Sequence, residues 1–171
     1  VSLGVVSLTL LSLDIRQTEH PNLLWFVFFE TLFVYNFIRL VNVNSIISSS
    51  ESLRHQIIYR FRTFFWIVCI GSAFIGFYFL VKISQFIFLP VIGLGFLSVI
   101  YGLPIYKNRS HLFRLRDVPG LKIFLIAFVW SYVTEGLPAL INGEPLYYLA
   151  LFERFLFIFA ITIPFDIRDV N

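Results

Sequence analysis

Two aspartates close the chain in the stretch Pro164-Phe165-Asp166-Ile167-Arg168-Asp169. If a helix runs past Pro164, Asp166 and Asp169 stand at i and i+3 and project from one face, about 60° apart. Paired carboxylates at a membrane edge suit a hard cation such as Mg²⁺, which prefers oxygen ligands and keeps positions free for water or phosphate. A solvated helix end, with Arg168 as counter-charge, is the plainer alternative. A second polar group is Glu30, Tyr35, Asn36 and Arg39. At about 100° per residue, Tyr35, Asn36 and Arg39 share one arc and are expected to face the interior of a helical bundle, with Glu30 nearly opposite Arg39. An ionised group in hydrocarbon costs roughly 2.5–3.5 kcal/mol, so such residues point to function. Interhelical hydrogen bonding with a snorkelling Arg39 is the alternative. Glu153 and Arg154 are adjacent, point about 100° apart and read as structural. Trp130, Ser131 and Thr134 read as packing rather than as a cavity wall.

The elements that must hold these residues are set by composition. Of 171 residues, 58% are hydrophobic, 19% aromatic and 13% charged, with a mean hydropathy of +0.86. That charge content is about half of what a soluble domain carries. A water-soluble fold of this length has too little interior for so much apolar surface, which excludes an ordinary soluble enzyme and a disordered chain. The single cysteine, Cys69, excludes an intrachain disulfide. His20, His55 and His111 lie far apart, and no zinc-like spacing occurs. The net charge of +3 is accounted for by basic loops, so no nucleic-acid partner is expected.

Six apolar segments give the expected fold: a single all-α domain over 1–171, a polytopic transmembrane bundle of about six spans. The helices are expected at about 1–13, 23–41, 63–81, 86–103, 121–137 and 146–165. The runs are continuous, not alternating, so barrel strands are excluded. Arg39, Arg54, Arg60 and Arg62 cluster around segment 42–62. Lys107, Arg109, Arg114, Arg116 and Lys122 cluster in 104–122, and Arg168 follows the sixth helix. The other connections hold only Arg16 and Lys82. Loops 42–62 and 104–122 and the C-terminus are therefore expected in the cytoplasm. His20-Pro21-Asn22 and Asn142-Gly143-Glu144-Pro145 read as outer turns. Asn42–Glu51 reads as a mobile polar loop and Pro119-Gly120 as the start of helix five. Gly136-Leu137-Pro138 is expected to end or kink that helix. Gly71, Gly76, Gly93 and Gly95 are expected to let helices three and four approach their neighbours.

The last motif, its position after a sixth helix, and the sidedness of the loops resemble the UbiA-type prenyltransferase superfamily. Pro164–Asp169 is similar to that family's second Asp-rich motif. Tyr101-Gly-Leu-Pro104-Ile-Tyr-Lys107, with Pro119-Gly-Leu-Lys122 and Trp130-Ser131, looks like its loop and helix after the fourth span. The resemblance covers essentially the whole chain, as a partial bundle lacking the family's three further helices. It implies an intramembrane enzyme, in the inner membrane of a bacterium, that moves a prenyl group from an isoprenyl diphosphate to a lipophilic, aromatic acceptor. It implies Mg²⁺ held by Asp166 and Asp169, Lys107 and Tyr101 at the diphosphate, and Asn36, Arg39 and Arg168 at the substrate. Membrane lipid is the surrounding partner. The chemistry is coherent: metal and basic groups stabilise the departing diphosphate, and an apolar, aromatic cavity shields the cation left behind.

One departure is large. The family's first motif follows an Asn with Asp at the next position and at four and eight positions beyond it. Here Asn36 is kept, but Phe37, Leu40 and Asn44 replace the three carboxylates. A two-site metal clamp is lost. The alternative is a non-catalytic membrane scaffold or lipid-binding protein on the same fold. A transporter is disfavoured, because no charged intramembrane relay is evident. The late start of the first helix, the absence of Met and a last residue inside a family motif lead us to expect a truncated chain.

Overall fold

Continuous apolar runs leave each backbone amide to find its partner within its own segment, and helices result. The computed structural model describes residues 1–46, 60–83, 85–108, 111–114 and 120–170, with the backbone alone at 42–46, 104–108, 111–114 and 165–170. Among them are six helices: α1 (Ser2–Ile15), α2 (Pro21–Ile46), α3 (Arg62–Lys82), α4 (Phe88–Gly102), α5 (Leu121–Ile141) and α6 (Tyr148–Val170). Segments Pro21–Val41, Arg62–Lys82, Gln85–Gly102 and Leu121–Ile141 are long and apolar enough to cross a membrane. Large apolar side chains cover their outer faces: Phe74 is 73% exposed, Phe86 85% and Leu89 81%. Facing water, each would forgo roughly 1.5–3 kcal/mol of burial, whereas in lipid the same surface is at home.

Local chemistry sets the boundaries. Pro21 opens α2, where its missing N–H costs nothing, and Leu23 and Leu24 donate back to the His20 carbonyl. α2 then runs five residues beyond the expected 41, so the polar stretch from Asn42 begins as helix; residues 47–59 lie outside the described part. Pro104 forces Leu103 into extended backbone (ψ 148°), which stops α4 at Gly102. The loop after α4 contains a two-stranded antiparallel ribbon, β1 (Pro104–Asn108) with β2 (His111–Arg114), in which Lys107 pairs with Leu112. This ribbon was not expected from the apolar patterning, which registers spans rather than short loop strands.

The proline expectation in α5 resolves differently from its simplest form. α5 does not end at Gly136-Leu137-Pro138. It continues to Ile141 through one π-turn, Tyr132–Gly136, in which the Leu137 N–H reaches back five residues to the Tyr132 carbonyl. The slip falls where Pro138 has no donor to offer, so the helix absorbs the proline rather than stopping. α6 also runs through its proline, Pro164, and reaches Val170. Of the four glycines expected at close helix contacts, only Gly76 has one. A Cβ there would lie 3.3 Å from Glu30 Oε1, whereas among the described residues nothing from a neighbouring element comes within 4 Å of a Cβ at Gly71, Gly93 or Gly95.

α2 packs chiefly on α3 and also touches α1 and α4, while α5 packs on α6 and the π-turn segment on α1. The helices alternate in direction. Gly102, at the end of α4, sits against Ile38 in the second half of α2, and Phe124, near the start of α5, meets Phe155 of α6 with ring centroids 5.3 Å apart. The ends of α2, α4 and α6, the start of α5 and the ribbon therefore share one end of the bundle, called here the basic end. The buried core, Val5, Leu13, Leu23, Phe26, Val27, Leu80, Ile87 and Leu137, lies toward the opposite end.

Candidate functional site

At the basic end the structure brings together part of the expected set. Asn36 is buried, but its Nδ2 donates to the Leu32 carbonyl of its own helix at 2.8 Å rather than across to a neighbour. Tyr35 and Arg39 do not share its burial. Tyr35 is 39% exposed, and the Arg39 guanidinium lies 4.3 Å over its ring. The expectation of one inward-facing arc thus holds for Asn36 alone. The half-buried Arg39 instead sets its cation on the face of the exposed Tyr35 ring, the usual arrangement for a long basic side chain near a helix end. Tyr101 is half-buried, one residue before the Gly102–Ile38 contact, and so lies near the level of Asn36 and Arg39. Lys107 follows on β1.

Asp166, Arg168 and Asp169 lie on the helical backbone of α6, beyond Pro164. The unbroken helix satisfies the condition for an i, i+3 pair, and two carboxylates so spaced are a donor set that hard cations accept. Their side chains and those of Lys107, Arg168 and Asn44 are outside the described part, as are the basic residues Arg54, Arg109 and Arg116. Among the described residues no three His, Cys, Asp or Glu side chains gather as a metal site. At the positions where the family's first motif carries carboxylates, Phe37 stacks on Phe33 (5.7 Å between centroids) and Leu40 is buried.

The opposite end holds a polar network that the sequence reading did not assemble. Glu135, carried by the π-turn, is buried between three helices. It accepts from Arg16 Nη2 at 2.5 Å, from Ser12 Oγ at 2.6 Å and from Arg154 Nη2 at 3.4 Å. Arg154 also donates to Ser12 Oγ and to the Leu8 carbonyl, so it is a tie between α6 and α1. Arg16 Nε donates to Glu144 at 3.0 Å. Burial disfavours charge on Arg16, yet hydrogen bonds and attraction from Glu135, then Glu144, outweigh it and hold its pKa above the ordinary guanidinium value. The turns after α1 and after α5 are stitched beside it. His20 Nε2 lies 2.8 Å from Asn142 Oδ1, and Asn142 Nδ2 donates to Thr18 Oγ1 at 3.0 Å. A cleft of about 580 Å³ opens next to this network between α1 and α6.

This network joins charged groups that the sequence shows only singly, and it gives Arg154 a partner that its neighbour Glu153 does not supply. The sequence signal was available: Glu135 and Arg154 are charges inside apolar segments, and Arg16 directly follows another. Ser131 and Thr134 bond to carbonyls of their own helix (Phe128 and Trp130), in keeping with a packing role. Comparisons with family models, curated proteins and solved structures found no match for this chain.

Proposed function

We propose that this chain is an integral membrane protein of six spans and a divergent relative of UbiA-type prenyltransferases, with its basic end in the cytoplasm of a bacterium. The observation that carries the reading is the continuity of α6 through Pro164, which keeps Asp166 and Asp169 in helical spacing at the same end of the bundle as Asn36, Arg39, Tyr101 and Lys107. In this reading Asp166 and Asp169 hold one Mg²⁺, which supplies charge neutralisation to a diphosphate. Lys107, Arg39 and Arg168 add positive charge, Tyr101 and Asn36 orient the substrate, and the apolar helix faces exclude water. The bond broken joins the prenyl carbon to the diphosphate oxygen. The acceptor, a lipophilic aromatic, takes the prenyl group and gives up a proton.

A second reading has its own observation. Phe37 and Leu40 fill positions of the lost first motif with packed apolar side chains, which fits a lipid-binding or scaffold protein on the same helices. Binding of a radiolabelled prenyl diphosphate to the purified protein, with and without Mg²⁺, separates the two. Metal-dependent binding abolished in Asp166→Asn and Asp169→Asn supports the enzyme. Tight binding indifferent to metal and to both substitutions removes the metal site. No binding at all supports the scaffold.

A further inference from the structure

Glu30 lies midway along the Pro21–Val41 segment of α2, where a carboxyl is costly. Among the described residues no hydrogen bond or ion pair reaches it, in contrast with Glu135, which has three donors. Its carboxyl rests against α3 at Gly76, where a Cβ would stand 3.3 Å from Oε1, so the absence of a side chain there is what admits it. Beside it runs a groove of about 450 Å³ between α2 and α3, walled by Phe33, Phe37, Trp66, Phe74 and Phe77, with Ala73 leaving room on the α3 side.

The electrostatics of this groove have one sign. The carboxylate is its acidic group, ring faces carry negative potential, and among the described residues no Lys or Arg lines it. A metal ion is a poor match, because one carboxylate among rings cannot replace a hydration shell. We propose that the α2–α3 groove binds a lipophilic organic cation, with the Glu30 carboxylate as counter-charge and the rings of Phe33, Phe37, Trp66, Phe74 and Phe77 around its apolar body. The site is distinct from the Asp166/Asp169 end and does not depend on the prenyltransferase reading.

Radiolabelled tetraphenylphosphonium is the probe, measured on the purified full chain in detergent with empty micelles subtracted. The expected result is saturable binding, displaced by unlabelled tetraphenylphosphonium but not by tetraphenylsilane, which has the same shape without the charge. Glu30→Gln is expected to weaken binding at least tenfold. Ala73→Phe, which fills the groove while leaving the carboxyl in the chain, is expected to do the same. Absence of saturable binding by the unmodified protein, as a groove covered by lipid or by a second copy would give, overturns the proposal. So does displacement by tetraphenylsilane, or unchanged affinity in either variant. If Glu30→Gln does not fold, the silane competition and Ala73→Phe still decide.

Discussion

Arg16, at the end of α1, and Glu135, 119 residues later in the π-turn of α5, meet at 2.5 Å with side chains about nine-tenths buried. Removing one member of a buried pair leaves an uncompensated charge, which costs roughly 3–5 kcal/mol. Glu135 faces two guanidiniums, so its loss leaves Arg154 with neutral acceptors only, among the described residues, and Arg16 with Glu144 alone. Glu135→Ala is therefore expected to lower the melting temperature in detergent more than Arg154→Met, whose contact is the longer one at 3.4 Å. A double-mutant cycle between Arg16→Met and Glu135→Gln should return a coupling of about 1–3 kcal/mol. Additive effects would mean that the pair does not hold α1 to α5.

Arg16 also makes a pH prediction. Its folded pKa is raised, so its contribution to stability is complete below the unfolded value and is lost only as pH climbs through the folded one, beyond the working range. Arg16→Lys puts at the same place a cation whose unfolded pKa is about 10.4. With the same carboxylates raising it, the lysine's contribution is lost at strongly alkaline pH. Melting temperatures of the two proteins should run parallel from pH 7 to 9 and diverge above about pH 10.5, with the lysine variant falling faster. Parallel curves up to pH 12 would count against a charged Arg16 contact.

How far the sequence discloses such relationships differs by level. The helices were legible because lipid demands long apolar runs, and the start of α5 at Leu121 follows Pro119-Gly120 directly. Local punctuation was less secure. Pro138 reads as a stop or kink and continuation past Pro164 is left as a condition, yet both are carried inside helices because neighbouring turns or helices can take up the lost bond. Glu135 was visible as a charge in an apolar segment, but its partners come from α1 and α6, and only tertiary packing brings those together. At the basic end the spacing of Asp166 and Asp169 was legible, whereas the outward turn of Tyr35, under the Arg39 cation, depends on where α3 and α4 pack on α2.

The contact of Gly102 with Ile38 is tight enough to be tested by one methyl group. A Cβ at 102 would stand 2.7 Å from Ile38 Cγ1. Gly102→Ala is expected to cost about 1–3 kcal/mol, as overpacking does, and Ile38→Ala in the same chain should recover most of it. Gly95→Ala, with nothing within 4 Å among the described residues, is expected to leave the melting temperature unchanged or slightly higher. Equal effects at both positions would separate the end of α4 from α2 and remove the argument that Tyr101 lies level with Asn36.

The turn after α5 depends on backbone conformation. Gly143 has φ 69°, and its N–H bonds to the Leu140 carbonyl while that of Glu144 bonds to Ala139. This is the Schellman pattern, and a side chain in the left-handed region costs about 1 kcal/mol. Gly143→Val should lower stability, Gly143→Asn should do so much less, and Asn142→Ala should add the loss of the links to Thr18 and His20. Thermal melts of the three variants give the ranking, and an inverted order of Val and Asn would contradict the turn.

Sidedness can be read with the one native thiol removed. Cys69 is buried at the α2–α3 crossing, its Sγ 3.9 Å from the Phe33 carbonyl oxygen, so Cys69→Ala takes away a slow-reacting group at small cost. In that background Glu19→Cys and Ser48→Cys bracket α2, whose Pro21–Val41 segment is long and apolar enough to span. Basic residues gather on the Ser48 side, and translocation of such loops is disfavoured. A membrane-impermeant maleimide should therefore label Glu19→Cys in intact bacterial cells and Ser48→Cys only after permeabilisation. Labelling of both from outside would mean that α2 does not cross. The reverse pattern would place Asp166, Asp169 and Lys107 outside the cell, away from any cytoplasmic diphosphate, and would remove the prenyltransferase reading with them.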